Sequence, residues 1–185
     1  PKNTAADRRQ DMLKQIATGI MSQRLSKLGR APGSKISGGA AAKQDLFRAT
    51  SAFGTIVVAK DGDWKSALET AEQETRKAVQ FGFTQGELDE ALANVANDYR
   101  SSAQQAASRS NGQIADSLVS RSVEKRIGQS PADNLAMFEK IAPSLTLDAV
   151  NTAYRAAWGN GPTLVHVSSK APIADMEQSV AAVLA

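Results

Sequence analysis

Three short stretches of this sequence have the pattern of β-strands, and their placement along the chain limits the folds it can adopt. The stretches cover residues 36–44, 51–60 and 163–167, and the second is rich in β-branched residues. The first two lie next to each other, whereas five helical stretches separate the second from the third. Strands that do not alternate with helices exclude a doubly wound parallel sheet. We therefore predict an α+β fold with a small antiparallel sheet.

The predicted sheet is thin for a chain of 185 residues. An uncovered edge strand exposes a row of unpaired N–H and C=O groups, which is a liability for a soluble protein. We therefore expect further strands to be missing from this chain or to come from a partner.

Helices are indicated by apolar spacing and by capping residues. Apolar residues recur at steps of three and four over 7–28, which predicts a long first helix. Asp63 is placed to cap the next helix, and Thr84 with Glu87 forms a capping box in front of another. We predict helices over 7–28, 63–80, 84–108 and 114–127, and helices that begin near Ser130, Thr146 and Pro172.

Composition excludes several classes of protein and site. The chain has 42% apolar and 22% charged residues, as globular proteins do, and no apolar run approaches the roughly 18–20 residues of a membrane helix. The opening residues lack the pattern of a signal peptide. A net charge of +3 is too small to favour nucleic acid as a partner. With no cysteine and a single histidine, His166, the chain cannot supply an ordinary zinc site.

Two groups of residues could carry chemistry, and each has a simpler structural explanation. Asp61 and Asp63 could bind a cation, but a turn followed by a helix cap explains them better. His166 lies inside an apolar stretch, where a structural residue is expected more often than a catalytic one.

Charged and aromatic side chains elsewhere are similarly interpreted as structural. Arg8, Arg9 and Arg24 could contact phosphate, but interleaved acidic residues favour a solvated helix face. Paired charges on the second helix indicate surface ion pairs, formed among Glu69, Glu72, Glu74, Arg76 and Lys77. The aromatic residues are too scattered for a stacking platform; they are Trp64, Phe81, Phe83, Tyr99, Tyr154 and Trp158. The residues alone therefore indicate no catalytic residue, no metal ligand and no cofactor in this chain.

Several phrases, in this order along the chain, resemble the pitrilysin/insulinase family of zinc metallopeptidases, the inverzincins. The most specific is GFTQGEL at 82–88, which is similar to the family phrase Gly-Phe-Thr-x-x-Glu-Leu between two long helices. The others are IMSQRLSKL at 20–28, DLF at 45–47, IVV at 56–58, WKSAL at 64–68, SLTLDAV at 144–150 and LVHV at 164–167. Together they span about residues 8 to 170, nearly the whole chain.

The resemblance implies a two-layer α+β domain, with helices packed on one face of a small antiparallel sheet. Such a domain pairs with a similar domain around a chamber for peptide substrates. In the family, one domain carries His-x-x-Glu-His and a more distant Glu, and this sequence lacks that motif. The family also has an Arg followed seven residues later by a Tyr that contacts substrate. Arg30 matches the Arg, but Ser37 stands where the Tyr would be. These departures imply a non-catalytic domain over residues 1–185, or a fragment whose opening strands are missing.

Two functions from different classes stay open. In the first, the chain is a structural, chamber-forming part of a zinc metalloendopeptidase, with zinc and catalysis in the parent protein's catalytic domain, in the same chain or a partner chain. In the second, it is a helical protein- or peptide-binding adaptor domain without a proteolytic parent. A peptide or a second copy could dock on the free sheet edge in either case. The resemblance implies the bacterial periplasm or the secreted side as the compartment. A His-x-x-Glu-His elsewhere in the reading frame would decide for the first function.

Overall fold

The computed structural model describes residues 4–46, 50–123, 128–158 and 163–184. Its elements follow the predicted order of one helix, two strands, five helices and a last helix, but the strand predicted before the last helix is not formed among the described residues. The helices are α1 (Ala5–Arg30), α2 (Trp64–Phe81), α3 (Gln85–Gln104), α4 (Asn111–Val123), α5 (Pro131–Ile141), α6 (Leu147–Trp158) and α7 (Met176–Leu184). The strands are β1 (Ile36–Leu46) and β2 (Thr50–Ala59). The α+β class predicted from the sequence is therefore confirmed.

Helix α1 is the centre of the core. Thr4 and Asp7 form a capping box at its start, and its predicted apolar stripe is buried. The most deeply buried members are Leu13, Ile16, Ile20, Met21 and Leu25, each 2% exposed or less. Because α1 contacts β1, α3 and α6, it holds the sheet and the later helices in one body.

Strands β1 and β2 form an antiparallel pair, and α1 lies along β1. The register places Ala41 opposite Thr55, and a bulge interrupts it between Ile36 and Gly38. The approach of helix to strand is close, since a β-carbon at Gly29 of α1 would lie 2.7 Å from the Cα of Gly38. Only a residue without a side chain fits at position 29.

The sheet has one covered face and one open face. Ala41 of β1 is buried, and Val57 and Ala59 of β2 pack against the core. On the opposite face, Ile56 is 64% exposed and Val58 is 59% exposed. Helices therefore cover one face of the sheet, as predicted.

Aromatic contacts join the later helices to the core. Phe83 and Tyr154 pack edge to face with centroids 5.0 Å apart, and Tyr99 of α3 stacks on Phe138 of α5 at 5.2 Å. Phe83 and Tyr154 are core residues and Tyr99 packs against the core, as predicted, whereas Phe81 at the end of α2 is 79% exposed, so a core role is wrong for it.

The structure corrects three predictions about where strands and helices lie. The predicted strand over 163–167 is wrong, because no other described segment pairs with it and its residues form no regular structure. A strand needs a hydrogen-bonded neighbour, which β-branched sequence alone does not supply. The last helix begins at Met176 and not at Pro172, and α3 ends at Gln104, followed by a 3₁₀ turn at Ala106–Ser108. Residues 47–49 and 124–127 lie outside the described part of the chain.

None of the helices in the described part of the chain is both long enough and apolar enough to cross a bilayer.

Candidate functional site: the Arg24 cluster

The acidic pair that could have bound a cation forms a turn and a helix cap. The carboxylate of Asp63 accepts a hydrogen bond from the Ser66 amide at 3.2 Å, and the Lys35 ammonium lies 3.7 Å away. The Ser66 contact and the Lys35 charge lower the pKa of Asp63. Asp61 has a φ of 53° in the preceding turn. The cap interpretation is confirmed, and no three His, Asp or Glu side chains of the described ranges are grouped so that they could hold a metal ion.

The arginines of α1 contact protein groups. Arg9 donates to the Ser144 hydroxyl at 2.8 Å and to the Ser144 carbonyl at 2.7 Å. Arg8 donates to the side-chain carbonyl of Gln129. Neither is a free, solvated cation, so both fix the C-terminal helices against the start of α1.

The remaining candidates are surface residues. Two ion pairs predicted on α2 are present, between Arg76 and Glu72 at 2.6 Å and between Lys77 and Glu74 at 2.7 Å, and Glu69 takes part in neither. His166 is exposed.

The two positions compared with the family's substrate contact bond to different partners in the structure. Arg30 donates to the Ser26 hydroxyl at 3.1 Å, whereas the Ser37 hydroxyl donates to the Val58 carbonyl at 3.3 Å.

Arg24 of α1 is the centre of the most connected polar cluster in the described chain, and the prediction of a solvated helix face is wrong for it. Its guanidinium forms a two-bond ion pair with the Glu87 carboxylate, with Nη2 to Oε2 at 2.8 Å. Nη2 also donates to the Gly82 carbonyl at 3.1 Å. The same guanidinium lies over the Phe83 ring, 5.0 Å from its centroid. We name Arg24, Gly82, Phe83, Thr84, Glu87 and Asn151 the Arg24 cluster.

The join between α2 and α3 supplies most of this cluster, and the predicted capping box is present. Thr84 accepts from the Glu87 amide, and the Glu87 carboxylate accepts from the Thr84 amide at 2.8 Å. Gly82 has a φ of 76° and a ψ of −160°, a conformation open to glycine almost alone. Phe83 and Leu88 are both buried in the core. The capping box predicted from Thr84 and Glu87 is therefore confirmed.

Asn151 of α6 completes the cluster and is the member that sequence reasoning missed. Its side-chain carbonyl accepts from the Phe83 amide at 2.8 Å, and a β-carbon at Gly82 would lie 2.7 Å from its Cγ. Nearby, Arg155 donates to the Val79 carbonyl at 3.0 Å. The only sequence signal was the presence of a weak helix former inside a helix.

Burial and charge act in opposite directions on the ionisable groups of the cluster. Burial favours the neutral form of Glu87, but the hydrogen bonds from Arg24 and Thr84 outweigh it and lower the pKa to about 2. The same contact with Glu87 raises the pKa of Arg24. Beside the cluster, burial raises the pKa of the Tyr154 hydroxyl, whose ring packs against Phe83. At neutral pH both Arg24 and Glu87 are therefore charged, and they are hydrogen-bonded to each other.

The chemistry of the Arg24 cluster is that of a structural link. It contains no nucleophile with an adjacent base, and its carboxylate is held by the arginine and the capping threonine. The cluster fixes α1, the α2–α3 join and α6 relative to one another.

The fold of this chain matches segments of solved proteases. The first half of the periplasmic protease PqqL from Escherichia coli matches with a TM-score of 0.75 and 19% identity, over 85% of this chain and 34% of that one. The complete PqqL chain matches with a TM-score of 0.73 and 18% identity, over 83% of this chain and 17% of that one. A predicted insulinase family protease from Yersinia pestis matches with a TM-score of 0.71 and 14% identity, over 98% and 39%.

No protein-family model and no curated protein matches the sequence. This chain spans about a third of the first half of PqqL. The resemblance seen in the sequence is thus confirmed at the level of the fold: this chain has the fold of a segment of the insulinase-type proteases.

Proposed function

We propose that this chain is a non-catalytic structural part of a zinc-dependent metalloendopeptidase of the pitrilysin/insulinase family, and that it helps to enclose the substrate chamber. The observation that carries the proposal is the fold match, which covers 85% of this chain but only 34% of a longer protease chain. The family phrases at 20–28 and 82–88 support it, because both build the Arg24 cluster around which the helices pack.

The donor set of this chain does not fit a catalytic zinc ion. A zinc hydrolase site needs two or three imidazole or thiolate ligands with carboxylate support, and the sequence has one histidine and no cysteine. We therefore assign zinc and the chemical step to another part of the parent protein. The role of this chain is to help enclose the substrate chamber beside the part that holds zinc.

The partners follow from the same proposal. The catalytic domain would lie in the same polypeptide or in a second subunit, and the assembled chamber would hold an unstructured peptide. The E. coli protease of similar fold is described as periplasmic, which supports the periplasm or secreted side as the compartment of this chain.

The test begins from the complete reading frame. We expect it, or a subunit that co-purifies with its product, to carry His-x-x-Glu-His, and we expect the purified protein to cleave an unstructured peptide in a chelator-sensitive manner. Replacing the Glu of that motif by Gln should abolish cleavage. The matched control, His166→Ala, should leave both the zinc content and the rate unchanged.

Loss of activity or of zinc in His166→Ala would overturn the proposal. So would a complete protein that has no such motif, no partner with one and no peptidase activity. That last outcome would favour the adaptor function.

A further inference from the structure

Helix α4 has an apolar half and a polar half. Since successive residues of a helix are rotated by about 100°, one half of its surface carries Ile114, Ala115, Leu118, Val119 and Val123. The other half carries Gln113, Asp116, Ser117 and Ser120. A helix with this pattern in a globular protein normally buries its apolar half against the rest of the structure.

The apolar half of α4 is open to solvent in this structure. Its large side chains are between 37% and 72% exposed. They make up four of the nine large apolar side chains that are exposed among the described residues. Helix α4 also makes no extensive contact with another described helix or strand. A concentration of exposed apolar surface on one element indicates an interaction site.

Local bonds fix the start of α4, but they are not enough to make the helix stable. The Gln113 amide donates to the Ser110 hydroxyl at 3.3 Å, and the Gln113 side-chain carbonyl accepts from the Ser110 amide at 3.0 Å, which forms a capping box. Helices shorter than about 12–15 residues are only marginally stable in water without packing. Because α4 has 13 residues, its stability depends on burial of its apolar half.

A cleft beside the apolar half has room for side chains of a partner. It lies between Ile114 and Leu118 of α4 and the loop at 128–130, and its volume is about 260 Å³. The loop is held against α1, because Arg8 donates to the Gln129 side chain. Arg109 also lines the cleft, and it forms no ion pair with an acidic residue of the described ranges. A complementary surface would therefore be apolar and would carry a carboxylate at its rim.

We propose that the apolar half of α4 is an interface, which is covered in the complete protein by a surface of the parent polypeptide outside these 185 residues. That surface is apolar, and an acidic side chain on it pairs with Arg109. Formation of α4 is then coupled to assembly of the parent, because the contacts that bury the apolar half also stabilise the helix. The inference rests on the proposed function, because the parent protease supplies the covering surface.

The lengths of the matching proteases favour this occupant. The solved chains that share the fold extend well beyond the matched segment, which covers 34% and 39% of them. A surface of the same polypeptide is held near α4 at a high effective concentration, which a second copy is not. A peptide substrate binds only transiently, whereas a helix that depends on packing needs a permanent partner.

The first test is site-specific photocrosslinking in the complete protein. The photoreactive residue p-benzoylphenylalanine replaces Val119 in one variant and Ser120 in the matched control. Both positions are exposed in this structure, but Val119 belongs to the apolar half and Ser120 to the polar half. We expect a crosslinking yield about tenfold or more higher from position 119, because the core of an interface is closely packed. Mass spectrometry should place that crosslink within the same polypeptide, on a peptide outside residues 1–185.

A second measurement needs no substitution and therefore does not depend on how a variant folds. It is backbone amide hydrogen exchange of the unsubstituted complete protein. We expect the amides at 118–123 to exchange about tenfold or more slowly than exposed loop amides, because packing holds the helix closed.

Exchange at the rate of loop amides would overturn the proposal, and so would a crosslink from position 119 that stays within residues 1–185. A crosslink to a second copy, to a separate subunit, or only to an added peptide would overturn it as well. Any of these results in an active, chelator-sensitive peptidase would refute this inference alone. The expected crosslink in a parent without peptidase activity would refute the proposed function alone, so the two failures are distinguishable.

Discussion

Arg24 and Glu87 are 63 residues apart in the sequence, yet Nη2 of the arginine lies 2.8 Å from Oε2 of the glutamate. The same Oε2 accepts from the Thr84 amide and hydroxyl. One carboxylate therefore both caps α3 and anchors it to α1. A helix cap is in this way part of the tertiary structure.

Arg24→Met is expected to lower the free energy of unfolding by about 1–3 kcal/mol, because it leaves a largely buried carboxylate without its partner. The matched control is Lys27→Met. Lys27 pairs with Glu90 across the same two helices at 2.8 Å, but both side chains are exposed, so the loss should be under about 0.5 kcal/mol. Denaturant unfolding of the two variants gives the comparison. Equal losses would show that burial of the Arg24 pair has no energetic consequence.

Gly82→Ala is expected to destabilise the protein by more than 2 kcal/mol, roughly the sum of a strained backbone and a clash. The added methyl would lie 2.7 Å from the Asn151 side chain. Gly33→Ala is the control, since it has a similar φ of 73° with nothing within 4 Å of the added carbon. Gly33→Ala should cost only the backbone strain of a positive φ, about 1 kcal/mol of unfolding free energy. If both variants unfold at the same denaturant concentration, the contact with Asn151 does not constrain position 82.

Thr84→Ala should cost roughly 0.5–2 kcal/mol, the usual effect of removing a capping side chain. The exposed neighbour Gln85 bonds only to Asp89 one turn later, so Gln85→Ala should cost under about 0.5 kcal/mol. Thermal or denaturant midpoints measure both. An unchanged midpoint for Thr84→Ala would contradict the assigned cap.

The ion pair predicts an acid-dependent loss of stability. The folded pKa of Glu87 is lowered from 4.5 to about 2, so its contribution is present above about pH 4.5 and is lost as the pH falls through about 2. We expect this contribution to be on the order of 1–2 kcal/mol, less than the full shift implies because solvent reaches part of the side chain. The free energies of unfolding of the unsubstituted chain and of Glu87→Gln, measured at several pH values, should converge as the pH falls toward 2. A constant difference between them would contradict the predicted titration.

The 185-residue chain is expected to retain no stoichiometric zinc after dialysis, because one imidazole without thiolates makes a poor site. Elemental analysis is the measurement. About one tightly held zinc per chain would be incompatible with placing the metal in another domain.

Much of the fold could be predicted from local sequence. The capping box at Thr84 and Glu87 depends on residues close in sequence, and it is present as predicted. The apolar stripe of α1 likewise predicted its buried face. Such features are determined within a few residues, which is why they can be recognised without the rest of the chain.

The partners of Arg24 could not be predicted, because nothing local distinguishes one distant carboxylate from another. Arg24 borders the apolar stripe, but a long side chain at such a border can extend to solvent or fold over the core. Asn151 was missed for the same reason. The segment 163–167 shows the reverse error: its β-branched residues favour a strand, but formation of that strand depends on a neighbour.

Position 29 has a consequence for how this sequence can diverge. A β-carbon there would lie 2.7 Å from the Gly38 backbone, whereas a β-carbon at position 38 would meet nothing within 4 Å. Distant relatives should therefore accept small side chains at position 38 but almost nothing except glycine at position 29. A single methyl group at 29 would force the first helix away from the sheet, and the Ser22 hydroxyl would then lose its hydrogen bonds to the Ala41 backbone.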